Sequence, residues 1–242
     1  MSDALQHANE AVRAGMESVS AKFHEVKPRL RGWLHLVTAP LALAAGIVLI
    51  CLSPTTETRI GSALFTASAL LLFGVSAVYH TGTWSPKVWA FLRRFDHANI
   101  FLLIAGSYTP FSIILLEGTS QVVLLTVVWA GALLGVGFRV FWTEAPRWLY
   151  VPIYIALGWA AVFFIPSFYD GATRLGVGIG IAAFVLIVTG GALYTFGGVV
   201  YGVKRPNPWP TTFGFHEVFH SFTVVAFVSH YVAVSLVTYS LR

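Results

Sequence analysis

His216 and His220 stand four residues apart at the start of the last long apolar stretch of the chain. On a helix that spacing stacks two imidazoles on one face, about 6 Å apart along the axis, where they can share a metal ion. The same segment, His216-Glu217-Val218-Phe219-His220, also fits H-E-x-x-H, in which the intervening glutamate is the general base of a zinc peptidase. Taken alone, the stretch leaves both chemistries open.

The elements that position these residues follow from composition. Apolar residues make up 57% of the 242, and charged residues only 10%, with a mean hydropathy of +0.75. Such values exclude a soluble domain and indicate an integral membrane protein. The net charge of +5 is spread over short connections and does not form the cluster that nucleic acid requires. The single cysteine, Cys51, excludes a disulfide framework and a cysteine-based metal site. No short apolar core with a cleavage site opens the chain, so no cleaved signal peptide is expected.

Apolar residues at alternating spacings of four and three in residues 1–30 predict a cytoplasmic tail that is either an amphipathic surface helix or disordered. Residues 31–242 then form a seven-helix transmembrane domain. Its continuous apolar runs, near 33–52, 60–79, 97–116, 122–141, 148–168, 175–201 and 215–239, each approach the roughly 20 residues needed to span hydrocarbon. Helices are expected because each segment in lipid must satisfy its own backbone groups. Twelve Lys and Arg residues fall in the tail and the second, fourth and sixth connections, against three on the other side. The positive-inside rule therefore places the amino terminus in the cytoplasm and the carboxy terminus outside. Trp33, Trp84, Trp89, Trp142, Trp148 and Trp209 fall near the inner boundary, as an aromatic belt does. Pro110, Pro152 and Pro166 are expected to kink their helices.

With that topology the second run ends at Ser76 and His80, the third opens at Asp96, and the last opens at His216 and His220. Three helix ends thus carry His80, Asp96, His216 and His220 to one membrane depth, although only Lys and Arg entered the topology count. Three imidazoles and one open position suit zinc, which acidifies water toward neutral pH. Asp96 is placed to hold the water at the metal or to orient an imidazole. Ser76 lies one turn from His80 on the same face, with back-bonding to its own helix as its other role. His35, His97 and His230 read as packing or interfacial residues, with His97 the one replacement ligand to test.

These residues carry a family resemblance. Ser76-x-x-x-His80, Asp96, Ala105-Gly-Ser-Tyr-Thr-Pro110 and His216-x-x-x-His220 resemble the hemolysin III family, bacterial relatives of the progestin and adipoQ (adiponectin) receptors. The resemblance covers roughly residues 30 to 240. It implies seven helices with the amino terminus inside, a zinc held by His80, His216 and His220, an association of Asp96 with the water at the metal, and Ser76 beside it. By likeness to these receptors and to the alkaline ceramidases, it implies hydrolysis of a membrane lipid amide. The bacterial resemblance and the positive-inside count together indicate the inner membrane.

The leading expectation is therefore a zinc-dependent hydrolase of a lipid amide or ester, with Asp96 or Glu217 moving the proton. The alternatives are a non-enzymatic sensor or regulator of membrane lipid with a structural zinc, a cytolytic membrane protein, and a membrane zinc peptidase using His216-Glu217-x-x-His220. No buried lysine is available for a retinal Schiff base, since all four lysines fall outside the apolar runs.

Overall fold

The computed structural model describes residues 28–242. Among them the regular secondary structure is helical, and seven helical spans are long and apolar enough to cross a membrane. The helices are α1 (Trp33–Leu52), α2 (Thr56–Thr81), α3 (Pro86–Leu115), α4 (Gly118–Phe141), α5 (Arg147–Gly158), α6 (Ile165–Arg174), α7 (Val177–Val203) and α8 (Phe215–Tyr239), with a 3-10 segment, Ala160–Phe164, between α5 and α6. Together α5, the 3-10 segment and α6 make the fifth span. The tail predicted in residues 1–30 lies almost wholly outside the described residues.

Short connections force successive spans to run antiparallel, so α1, α3, α5 and α8 start at the end of the bundle where α2, α4 and α7 finish. Large side chains buried at the interior, among them Phe65, Phe73, Phe101, Leu124, Val128 and Val234, are surrounded by exposed Leu, Val and Ile on the outer faces. This is an arrangement that hydrocarbon stabilises and water does not. The six tryptophans of the expected belt are all exposed and all lie at that common end.

Two features differ from the sequence expectation. First, α3 begins eleven residues before its apolar run, with Pro86 in its first turn. The fixed φ of proline starts a helix well, and hydropathy registers only the part of a helix that meets lipid. Asp96 therefore lies nearly three turns inside α3 and does not open it.

Second, the fifth span is interrupted after Gly158. Pro152 sits within α5, and Pro166 lies in the first turn of α6, where its missing N–H costs nothing. The interruption leaves backbone groups without helical partners, and Tyr108 of α3 supplies them. Its hydroxyl donates to the Gly158 carbonyl at 2.6 Å and accepts from the Ala161 N–H at 2.9 Å. Tyr108→Phe is expected to lose both bonds in an apolar setting. The cost should reach about 2 kcal/mol or more, measurable as a lowered apparent melting temperature in detergent. Unchanged melting would rule out this role.

Candidate metal centre

The start of α1 is tied to the start of α8. The amides of Arg29 and Leu30 donate to the carbonyls of Thr211 and Thr212, and the Arg31 guanidinium meets the Glu217 carboxylate at 2.9 Å. Between them Gly32 caps α1 in the left-handed region, at φ 87°. A Cβ there would come within 2.7 Å of the His80 Cβ, so glycine at this position lets α1 close onto the end of α2. Helix ends that differ widely in sequence position are in this way drawn together.

Three imidazoles meet at that junction. His80 comes from the last turn of α2, and His216 and His220 from the first two turns of α8. One nitrogen from each ring lies within 4.8 Å of the other two, a grouping that can hold a metal ion. His80 and His220 are buried. His80 Nε2, His216 Nε2 and His220 Nδ1 are shielded from solvent and have no hydrogen-bond partner. Buried imidazole nitrogens left bare are costly; a cation bound among them removes that cost.

Asp96 approaches from α3, its Oδ2 3.7 Å from His80 Nε2. This is beyond hydrogen-bond length but within strong electrostatic reach. Ser76 is buried, and its hydroxyl has no partner. It does not bond back to its own helix, and it lines the same cavity as Asp96, His216 and His220. The sequence-nominated residues Ser76, His80, Asp96, His216 and His220 are thus brought to one locality.

Two other histidines are resolved by their contacts. His97 has both ring nitrogens engaged, Nδ1 with the Arg93 carbonyl at 2.8 Å and Nε2 with the Tyr201 hydroxyl at 3.2 Å. It therefore braces the turn of α3 that carries Asp96 and has no free donor for a metal. His35 of α1, read from the sequence as packing, stacks flat on His220 with ring centroids 3.9 Å apart and an interplanar angle of 17°. Both of its nitrogens are buried and unpartnered. Its position one turn into an apolar run was the only sequence signal for it.

Glu217 faces away from this chemistry. Its Oε1 accepts from Arg31 and its Oε2 from the Gly214 N–H at 2.7 Å, so both oxygens serve to hold helix ends. Glu217→Gln is expected to retain bound metal and destabilise the protein by about 1–3 kcal/mol through the weakened charge-assisted bonds. A peptidase base would give the opposite pattern, with folding intact and turnover abolished. Thermal unfolding and peptide hydrolysis measured on one preparation separate the two.

The chain matches the family described as Haemolysin-III related over residues 23–231. It is 33% identical to a Hemolysin-3 homolog of Bacillus subtilis (strain 168), over 66% of this chain and 69% of that protein. It is also 32% identical to Hemolysin-3 of Bacillus cereus, over 69% and 74%. An adiponectin receptor protein of Drosophila melanogaster is 23% identical over 84% of this chain and 49% of its own length. With seven spanning helices and a family match over most of its length, the chain belongs to the haemolysin-III related family, integral membrane proteins with kinship to the adiponectin receptors.

Proposed function

We propose that this protein is a zinc-dependent hydrolase that cleaves the acyl amide or ester of a membrane lipid, at the cytoplasmic end of the bundle. The observation that carries the reading is a single cavity of about 410 Å³ that reaches from Ser76, Asp96, His216 and His220 to Leu115, Phe168 and Ala172, near the far ends of α3 and α6. Its volume is in the range of small-molecule sites, about 300–1,000 Å³. Its walls are mostly apolar, and Ser76, Asp96, His97, His216 and His220 gather at one end of it. Trp159, Val162, Ile165 and Val188 belong both to this lining and to the exposed surface, which suits entry of a chain from lipid between the fifth and sixth spans.

The donor set fits zinc. It would be held by His80, His216 and His220, whose bare, buried ring nitrogens lie within 4.8 Å of one another and are of the donor type zinc takes. Bound there, zinc supplies a Lewis acid that polarises a carbonyl and renders water acidic. The chain's own residues do the rest. The apolar walls hold the acyl chain and exclude bulk water. Asp96 takes a proton from the attacking water as its oxygen adds to the carbonyl carbon. When the C–N or C–O bond breaks, that proton passes to the leaving amine or alcohol, and the carboxylic acid left behind gives its own proton to the amine or to solvent. Ser76 offers a hydroxyl for the carboxylate of Asp96 or for the developing oxyanion.

The test is release of free fatty acid from ceramide and from phospholipid in proteoliposomes. Measurements are made as purified, after stripping with a chelator, and after zinc is restored. Release that disappears and returns with zinc is the expected result. Protein that holds zinc yet releases nothing from either lipid would defeat the hydrolase and favour the structural-zinc sensor.

A further inference from the structure

The cavity that begins at the histidines meets a second polar locus deep in the bundle. Tyr194 of α7 and His230 of α8 both line it. The Tyr194 hydroxyl and His230 Nδ1 are shielded from solvent and have no partner. The two rings meet edge to face with centroids 5.5 Å apart. Other hydroxyls on the same walls have their protons engaged: Ser107, Thr195 and Thr223 each donate to a carbonyl of their own helix, and Tyr108 bridges the break in the fifth span. On the apolar stretch of these walls, the Tyr194 hydroxyl and His230 Nδ1 are the side-chain polar atoms left without a partner among the described residues.

The chemistry of the pair is definite. His230 Nε2 lies 3.2 Å from the Ile187 carbonyl. A carbonyl only accepts, so Nε2 carries the ring proton and Nδ1 is a bare acceptor. The phenol of Tyr194 has a proton to give. Gly190 of α7 makes room for the imidazole, since a Cβ there would run into the His230 ring. A wall that served only to fill space would use Phe or Leu and avoid the penalty of two unsatisfied polar atoms.

His230 lies ten residues beyond His220 on the same helix, about 15 Å along its axis. An extended alkyl chain advances about 1.3 Å per carbon, given C–C bonds of about 1.5 Å. With a carbonyl at the histidine end, roughly the tenth to thirteenth carbon comes level with the pair. A secondary alcohol there satisfies both groups, giving its proton to Nδ1 and accepting one from Tyr194. A ketone leaves Nδ1 bare, and a methylene leaves both bare.

We propose that Tyr194 and His230 form a subsite for a hydroxyl carried in mid-chain, so that the cavity selects hydroxylated long-chain acyl groups over plain ones. The inference rests on the acyl-lipid reading above. Its test uses the purified full-length protein in detergent and compares equilibrium binding of 12-hydroxystearate, 2-hydroxystearate and stearate. Wild type is expected to bind 12-hydroxystearate about tenfold more tightly than stearate, the scale of one to two hydrogen bonds that relieve unsatisfied groups. The 2-hydroxy isomer should show no such gain. Tyr194→Phe and His230→Phe should each reduce the preference while stearate affinity, which reports an intact cavity, holds. Equal binding of all three chains, or a preference that survives both substitutions, overturns the subsite and leaves the acyl cavity standing. Failure to bind any of the three overturns both readings.

Discussion

His220→Ala is expected to empty the metal centre. Wild type should carry about one zinc per chain, as a three-histidine site does, and the variant close to none after dialysis. Removing a group that merely supports a ligand weakens metal binding by roughly 10–100-fold, and loss of a ligand itself should exceed that. Lipid hydrolysis should fall to background in parallel. His80→Ala should behave in the same way, because its ring is the contribution of α2 to the grouping. His97→Gln is the matched control. Both nitrogens of His97 are held by Arg93 and Tyr201, so that variant should keep its zinc. Elemental analysis of the three variants beside wild type decides the matter, and a His220→Ala protein with undiminished zinc would sink the three-histidine centre.

Asp96→Asn is expected to separate binding from turnover. Asn matches the shape of Asp and preserves packing, but it cannot take up a proton at neutral pH. Zinc content should therefore stay near wild type while hydrolysis drops about 10²–10⁴-fold, the usual worth of a positioned general base. Ser76→Ala removes one hydroxyl and should cost far less, roughly tenfold, as for a single hydrogen bond. Full activity in Asp96→Asn would remove Asp96 from the proton path. Loss of zinc would make it a ligand, which its 3.7 Å approach to His80 Nε2 would then explain.

Both results depend on residues whose types and spacing were visible in the chain, and their meeting place followed from topology. His80 and Asp96 are only 16 residues apart, but His216 is 120 beyond Asp96, and helix antiparallelism alone brings them to one end. The details of that meeting were not legible. Asp96 was expected at a helix start because hydropathy falls off there, yet α3 continues back to Pro86 through residues that favour helix without favouring lipid. His35 carried no motif, and its stack on His220 depends on how α1 is rotated against α8. That rotation is set by the Arg31–Glu217 pair and the close approach at Gly32. Tyr108 stood inside a recognisable segment, but its role required a break in another helix fifty residues away.

The sequence by itself determined that the chain crosses a membrane as seven helical spans, since lipid allows each segment few other ways to satisfy its backbone. The bounds of the first and last spans, 33–52 and 215–239, coincide with α1 and α8. It also determined which titratable side chains lie near one end, because helix length and direction convert residue number into depth. Only the tertiary structure decided which faces turn inward, and with them the cavity that joins the histidines to Tyr194 and His230. In strongly apolar spans the inner and outer faces differ little in hydropathy, so helix rotation is set by close packing, small-residue contacts and a few buried polar bonds between distant residues.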